Sequence, residues 1–433
     1  MKQYDSYKDS GVEWIGEVPS HWEVMKTSLA FHGIGSGTTP STSKKDFYDE
    51  NKGYFWLQTG DLNDGIINET SKKVTKLAVS QCNLKFYLQN SIVIAMYGAT
   101  IGKVGILGIE TATNQACCVL PANQKVISKF AFYEFLACKP ALLVSAIGGG
   151  QPNISQDVIR KQKIVIPPHS EQLSIASYLD KKCSEIDNVI SAQQKRIALL
   201  QELKQSVITH AVTKGLNPNV EMKDSGVEWI GEVPITWEVM KTSLAFKGIG
   251  SGTTPSTSKK EYYDEDGKYW LQTGDLNDGI ILDTCKKVSD IAIKVCNLKF
   301  YPKDSVVIAM YGATIGKVGI LGIKTATNQA CCVLPANKHM IAKYTFYEFL
   351  ACKPALLVSA IGGGQPNISQ DTIRKQKIAV PPIEDQKSIA DYLDKKCATI
   401  DSSISKAQHQ VELLQEYKQS LITEVVTGKR KVS

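Results

Sequence analysis

Histidine is scarce in this chain, with six in 433 residues, and the six are scattered. Eleven cysteines occur, but no Cys-x-x-Cys spacing does. A structural zinc needs such ligands close together, so none is expected. No run of 18 or more apolar residues is present, which excludes a membrane-spanning helix. The first ten residues, Met1-Lys-Gln-Tyr-Asp-Ser-Tyr-Lys-Asp-Ser10, hold no apolar signal-peptide core, so a cytoplasmic protein is expected. No Ser-His-Asp, His-Glu-x-x-His or paired-carboxylate pattern stands out. The chain reads as non-catalytic.

Two lookalikes of catalytic motifs fail on inspection. Gly98-Ala-Thr-Ile-Gly-Lys-Val104 resembles a phosphate loop, but three residues separate its glycines and Val104 stands where a metal-binding hydroxyl belongs. Gly33-Ile-Gly-Ser-Gly37 resembles a cofactor loop, but no apolar strand leads into it and Pro40 follows too soon. Asp61 and Asp64 make a nominal metal pair; turn or helix-cap roles suit them better.

What is present is a duplication. Gly11-Val-Glu-Trp-Ile-Gly-Glu-Val-Pro19 returns as Gly226-Val-Glu-Trp-Ile-Gly-Glu-Val-Pro234, and residues 111–123 return unbroken as 325–337. The offset is 215 residues at first and 214 from Trp56, which matches Trp270. Roughly three residues in four agree, and repeats of this length are whole domains rather than solenoid units. Ten cysteines form five repeat-matched pairs; Cys285 stands opposite Ser71. Placed among Val, Leu and Ala, they read as buried thiols.

Each repeat has two parts. In the first, Val93-Ile-Ala-Met-Tyr97, Gly105-Ile-Leu-Gly-Ile109 and Ala116-Cys-Cys-Val-Leu120 read as strands. Residues 130–144 have helical periodicity, with Pro140 expected to end or kink the helix. In the second part, residues 170–213 contain no Gly or Pro. Seam-compatible residues fall at steps of four and three: Leu179, Cys183, Ile186, Ile190, Gln193, Ile197, Leu200, Lys204, Val207, Ala211. The second copy has Leu393, Cys397, Ile400, Ile404, Ala407, Val411, Leu414, Lys418, Leu421, Val425. This is a coiled-coil stripe with one lysine at the same step in each copy, a polar residue suited to fixing register.

About 43 helical residues would make a rod of roughly 65 Å. Antiparallel pairing of the two helices is expected. The competing arrangement, each helix packed on its own domain, fits a narrow stripe less well. The predicted architecture is α+β with pseudo-two-fold symmetry: mixed α/β domains at 1–166 and 216–380, and spacer helices at 167–215 and 381–433.

A net charge of +7 leans mildly towards a polyanion partner. The loop Gly35-Ser-Gly-Thr-Thr-Pro-Ser-Thr-Ser-Lys-Lys45 carries the hydroxyls, backbone N–H groups and lysines that contact phosphates. Ser36, Thr38, Thr39, Lys44, Lys45 and Lys103 are candidates, with Ser251, Thr253, Thr254, Lys259, Lys260 and Lys317 in the second copy. Gln58, Asn114, Gln115, Gln151 and Asn153, matched by Gln272, Asn328, Gln329, Gln365 and Asn367, are amides able to read adenine in a major groove. These loops are nearly unchanged between copies, whereas the long helices differ at many exposed positions. A recent duplication leaving matched patches by chance would not spare loops over helices.

The chain resembles the specificity subunits of type I restriction–modification systems. The motifs are Val12-Glu-Trp-Ile-Gly-Glu-Val-Pro19 with Trp22, Trp56-Leu-Gln-Thr-Gly-Asp61, Gly98-Ala-Thr-Ile-Gly-Lys103 and Pro167-Pro-His-Ser-Glu-Gln172 leading to Leu179-Asp180. Second-copy forms include Trp229, Trp270, residues 312–317 and Pro381-Pro-Ile-Glu-Asp-Gln386. The resemblance implies that the globular parts are target recognition domains on double-stranded DNA. It implies that the helices form an antiparallel coiled coil that docks two methyltransferase subunits carrying S-adenosylmethionine. A motor–nuclease subunit would use ATP and magnesium, and this chain would hold no cofactor itself. The target would be bipartite. The family's two recognition domains commonly differ; here they are nearly the same, which predicts a palindromic target. The alternatives are a stand-alone DNA-binding protein without methyltransferase partners and a single-chain restriction enzyme. Against the latter, Pro167-Pro168 and Pro381-Pro382 lack the Asn or Asp of amino-methyltransferases.

Overall fold

The computed structural model describes residues 3–49, 52–146, 153–358 and 367–432. The chain divides into two compact units, Met1–Gln193 with His409–Ser433, and Gln194–Gln408. Each repeats the same fold.

In the first unit, five strands form one sheet in the order Gly35–Ser36, Cys117–Leu120, Ile92–Ala95, Val104–Leu107, Gly65–Ile67. All pairings are antiparallel except the last. The central strands, rich in β-branched residues, are buried along their whole length, so they read as apolar runs rather than alternating ones. A second sheet runs Lys72–Val74, Tyr54–Leu57, Thr111–Thr113, Phe86–Tyr87. Its Tyr54–Leu57 and Thr111–Thr113 strands are parallel, with Leu57 opposite Thr113. Glu23–Lys26 pairs with Lys163–Ile166. The second unit has the same two sheets in the same order.

The helix Ser128–Val144 runs through Pro140, so of the two expected outcomes, ending or kinking, the proline does not end it. Phe130, Phe135, Cys138 and Leu142 on that helix are buried, and this packing outweighs the lost hydrogen bond. The helix Ala342–Val358 runs through Pro354 in the same way.

The long helices are His169–Lys214 and Ile383–Val426. Along both, the seam positions are less exposed than their neighbours. Leu179, Cys183, Ile186, Leu393, Cys397, Ile400 and Ala407 are buried, and Ile190, Ile197, Leu200, Ile404, Val411 and Leu414 are half-buried. In the first unit, Trp22 lies between the first turn of one helix and Gly428, two residues past the end of the other. Its Nε1 donates to Glu171 at 3.1 Å, and a Cβ on Gly428 would lie 3.1 Å from its ring. Further along, Lys418 meets Asp187 at 2.7 Å. Numbering thus rises on one helix as it falls on the other, and the pair is antiparallel. The second unit repeats this with Trp237 at Asp385 and Gly215, and with Lys204 on Asp401 at 2.7 Å.

The helix ends do more than form a seam. Ile175, Leu179 and Cys183 share one core with Ile422, Val425, Trp22 and Phe130. Ile208 and Val212 share another with Ile389, Leu393 and Trp237. Packing on a globular core, set against pairing in the sequence, therefore coexists with it: the stripe is narrow in the middle of each helix and broadens at the ends.

Candidate nucleic-acid interface

The candidate loops are built around a close approach that only glycine permits. Gly37 N–H donates to the Asn114 carbonyl at 3.2 Å, and Thr38 N–H donates to the Thr113 carbonyl at 3.0 Å. A Cβ on Gly37 would stand 1.7 Å from the Thr113 oxygen. Trp56 Nε1 donates to the Thr38 carbonyl at 3.1 Å, and the Tyr87 hydroxyl donates to the Ser36 carbonyl at 3.1 Å. The Thr39 hydroxyl then donates to the Gln115 side-chain oxygen. Ser36, Thr38 and Thr39 are thereby fastened to the turn at the end of Thr111–Thr113.

Gln58 follows the parallel neighbour strand. Its N–H donates to the Asp61 carboxylate at 2.8 Å, while Asn114 N–H donates to Leu57 at 3.0 Å, so Gln58 and Asn114 share one edge. Asn114 Oδ1 accepts from Ala116 N–H at 3.1 Å, closing the turn that exposes Gln115. Met96 N–H donates to Ala116 at 2.8 Å and Ile154 N–H to Met96 at 2.7 Å. The exposed Asn153 is thus carried to the same edge. Lys103 joins it through its carbonyl, which accepts from Ala95 N–H at 2.9 Å. Gln151 and Gln365 lie outside the described residues.

The second unit reproduces these contacts. Gly252 would place a Cβ 1.6 Å from the Thr327 oxygen, Thr253 N–H donates to Thr327 at 3.0 Å, and the Thr254 hydroxyl donates to the Gln329 side chain. The Tyr301 hydroxyl donates to the Ser251 carbonyl at 3.2 Å. Gln272 N–H donates to Asp275 at 2.8 Å and Asn328 Oδ1 accepts from Ala330 N–H at 3.1 Å. Lys317 and Asn367 hold the positions of Lys103 and Asn153.

Cations surround this edge. Lys44 lies over the Phe47 ring at 4.9 Å, with Lys45 beside it. Lys72 lies over Tyr48 at 5.9 Å and Lys85 over Tyr87 at 4.9 Å. In the second unit Lys259 lies over Tyr262, Lys286 over Tyr263 and Lys299 over Tyr301, and Lys260 is exposed. Among the described residues, Lys44, Lys45, Lys72, Lys85 and Lys103 pair with no carboxylate. Lys72 and Lys85, with Lys286 and Lys299, are not in the loops that composition singles out. For Lys85 and Lys299 the signal is a lysine two positions before a tyrosine, as in Lys85-Phe-Tyr87, which puts both on one face; Lys72 and Lys286 lie over Tyr48 and Tyr263, rings distant in sequence that no spacing marks.

Asp61 and Asp64 are caps. Asp61 accepts from Gln58 and Ser71 N–H groups, and Asp64 accepts from Val104 N–H at 2.8 Å and pairs with Lys139 at 3.3 Å. No group of three metal-binding side chains occurs among the described residues. All eleven cysteines are free. Burial pushes the Cys118 and Cys332 thiols up to about 12 and keeps Cys117 and Cys331 higher still, so none is a nucleophile at neutral pH. Three depart from the expected burial: Cys285 is exposed, and Cys82 and Cys296 are half-buried. No helix among the described residues is long and apolar enough to cross a membrane.

Comparison with known proteins brings a family to this geometry. The type I restriction modification DNA specificity domain matches twice, over residues 19–199 and 234–413. The type I restriction enzyme MjaVIII specificity subunit of Methanocaldococcus jannaschii is 25% identical over 96% of this chain and 94% of its own. A solved chain from a type I R-M system superposes with a TM-score of 0.72 at 14% identity, covering 94% of this chain and 98% of that one. The HsdS subunit from Thermoanaerobacter tengcongensis gives 0.51 at 15% identity, covering 95% and 98%.

Proposed function

The chain belongs to the type I restriction–modification DNA specificity family, and on that premise we propose that each repeat reads one half of a bipartite target on double-stranded DNA. Its place is that of a specificity subunit, not a catalytic one. The observation that carries the reading is the doubled clamp: Thr39 on Gln115 and Thr254 on Gln329 occupy equivalent loops with the same neighbours. Lysines stacked on aromatic rings suit phosphates, and exposed amides suit base edges.

Two equivalent readers imply two equivalent half-sites, hence a palindromic target of inverted halves with an unread gap between them. Methylation would come from two methyltransferase subunits that bind S-adenosylmethionine and dock on the paired helices. Cleavage would come from motor–nuclease subunits using ATP and magnesium. This chain would carry none of those cofactors, and the complex would work in the cytoplasm beside the DNA.

The test is the pattern of methylated adenines in the source strain. Inverted identical half-sites at one fixed gap are expected. Two unrelated half-sites would overturn the palindromic reading, and activity of the purified chain with S-adenosylmethionine and DNA alone would overturn the non-catalytic role.

A further inference from the structure

The structure assigns base reading to Gln115 and its repeat mate Gln329, each positioned by a threonine, with adenine as the base read; this rests on the DNA-reading function proposed above. Three amides meet at the ends of the paired strands, and their surroundings differ. Asn114 is half-buried with its Oδ1 engaged by the Ala116 N–H at 3.1 Å, and Gln58 is half-buried behind it. Gln115 alone of the three is exposed, at the tip of the turn that Asn114 closes.

The Thr39 hydroxyl donates to Gln115 Oε1. One lone pair on Oε1 and both Nε2 hydrogens remain for a ligand. A neighbouring acceptor and donor match the N6 amine and N7 of adenine in the major groove; guanine offers two acceptors there and cytosine a single donor. The threonine is itself held. The Gly37 approach, the Thr38–Thr113 bond at 3.0 Å and the Trp56–Thr38 bond at 3.1 Å leave the loop little freedom. A side chain fixed before binding loses less entropy on binding. The second unit builds the same support for Gln329 from Thr254, Gly252 and Trp270.

The test is selection of the full-length chain on a library of duplexes with a randomised stretch. Wild type is expected to enrich a motif with one adenine column per half that depends on these residues. Q115A with Q329A should flatten that column by roughly 5- to 100-fold and leave the other columns standing. Q115E with Q329E should turn it towards cytosine, whose amine donates to a carboxylate. T39V with T254V should weaken the same column, and T39S with T254S should restore it. A motif unchanged by Q115A with Q329A overturns the assignment and leaves DNA reading intact. Loss of every column together with a lowered melting temperature marks the glutamines as structural and also overturns it. No enriched motif with wild type overturns the DNA-reading function itself.

Discussion

Gln419 on the second long helix donates its side-chain N–H to the Leu136 carbonyl at 3.1 Å. That carbonyl is the one Pro140, four residues on, cannot satisfy, because proline has no N–H. In the second unit Gln205 donates to the Leu350 carbonyl at 3.3 Å, four residues before Pro354. The proline therefore creates an acceptor, and the long helix supplies the donor. Gln419→Ala should cost about 1 kcal/mol. Pro140→Ala, which restores the helix's own hydrogen bond, should make Gln419→Ala nearly neutral. A double-mutant cycle in urea checks this; additive losses would show that the two residues do not share one carbonyl.

The seam lysines are the second coupling. Lys418 reaches both oxygens of Asp187, and Lys204 both oxygens of Asp401. The aspartates are half exposed, so each pair should contribute only about 0.2–1 kcal/mol. Lys418→Asp should destabilise the protein, and adding Asp187→Lys should recover most of the loss. The recovery should shrink in 1 M salt as screening grows. Melting curves of the single and double variants at two salt concentrations measure it.

Much of this was legible in residue order. The duplication, the strands around Val93 and Val119, and the seam from Leu179 to Ala211 follow from spacing alone. The loop hydroxyls and amides stand out in sequence because both copies keep them, and the structure fastens most of them to one strand edge. That the helix continues past Pro140 was not legible, because local preference says nothing of Gln419, which supplies the missing donor from the other end of the chain. Lys72 stayed hidden because it reaches the Tyr48 ring only through strand pairing. The double duty of the helix ends was hidden too: a heptad stripe records that a face is covered, not by what.

Two buried carboxyls set an acidity-dependent stability. Burial pushes Glu134 and Glu348 up to about 8. Each accepts one backbone bond, from Val165 N–H at 3.0 Å and from Ala379 N–H at 2.8 Å. In the folded state they hold their protons up to about pH 8, whereas the unfolded chain releases them near its ordinary value of about 4.5. Their contribution is therefore full below about pH 4.5 and is lost as pH rises through about 8, on the order of 5 kcal/mol for each carboxyl. Glu134→Gln with Glu348→Gln should flatten that decline in urea midpoints measured from pH 5 to 9. An unchanged slope would mean that other groups cause it.

Lysines and amides should fail differently on DNA. Lys45→Ala and Lys85→Ala should weaken binding to all sequences alike and reduce the slope of log affinity against log salt by about 0.9 per lost phosphate contact. Titrations of a target duplex and an unrelated duplex at several salt concentrations separate the effects. A loss confined to the target would place either lysine on a base instead of a phosphate.

Gly428 and Gly215 end their helices with similar backbones, at φ of +76° and +74°, yet alanine should not be equally tolerated. At both, the left-handed backbone alone costs an L side chain about 1 kcal/mol. At Gly215 the new Cβ would stand 3.1 Å from the Trp237 ring, a contact that a small shift relieves. At Gly428 it would stand 2.3 Å from Pro19 Cδ and 3.1 Å from Trp22. Pro19 is held by strand pairing with Tyr7, and the Tyr7 hydroxyl donates to the Gly428 carbonyl at 3.1 Å. Relief there requires moving the tail away and breaking that bond. Gly428→Ala should therefore cost about 1–3 kcal/mol beyond Gly215→Ala, with faster amide exchange around residues 7–19. Equal melting shifts for the two variants would mean that the tail moves aside freely and does not brace the first unit.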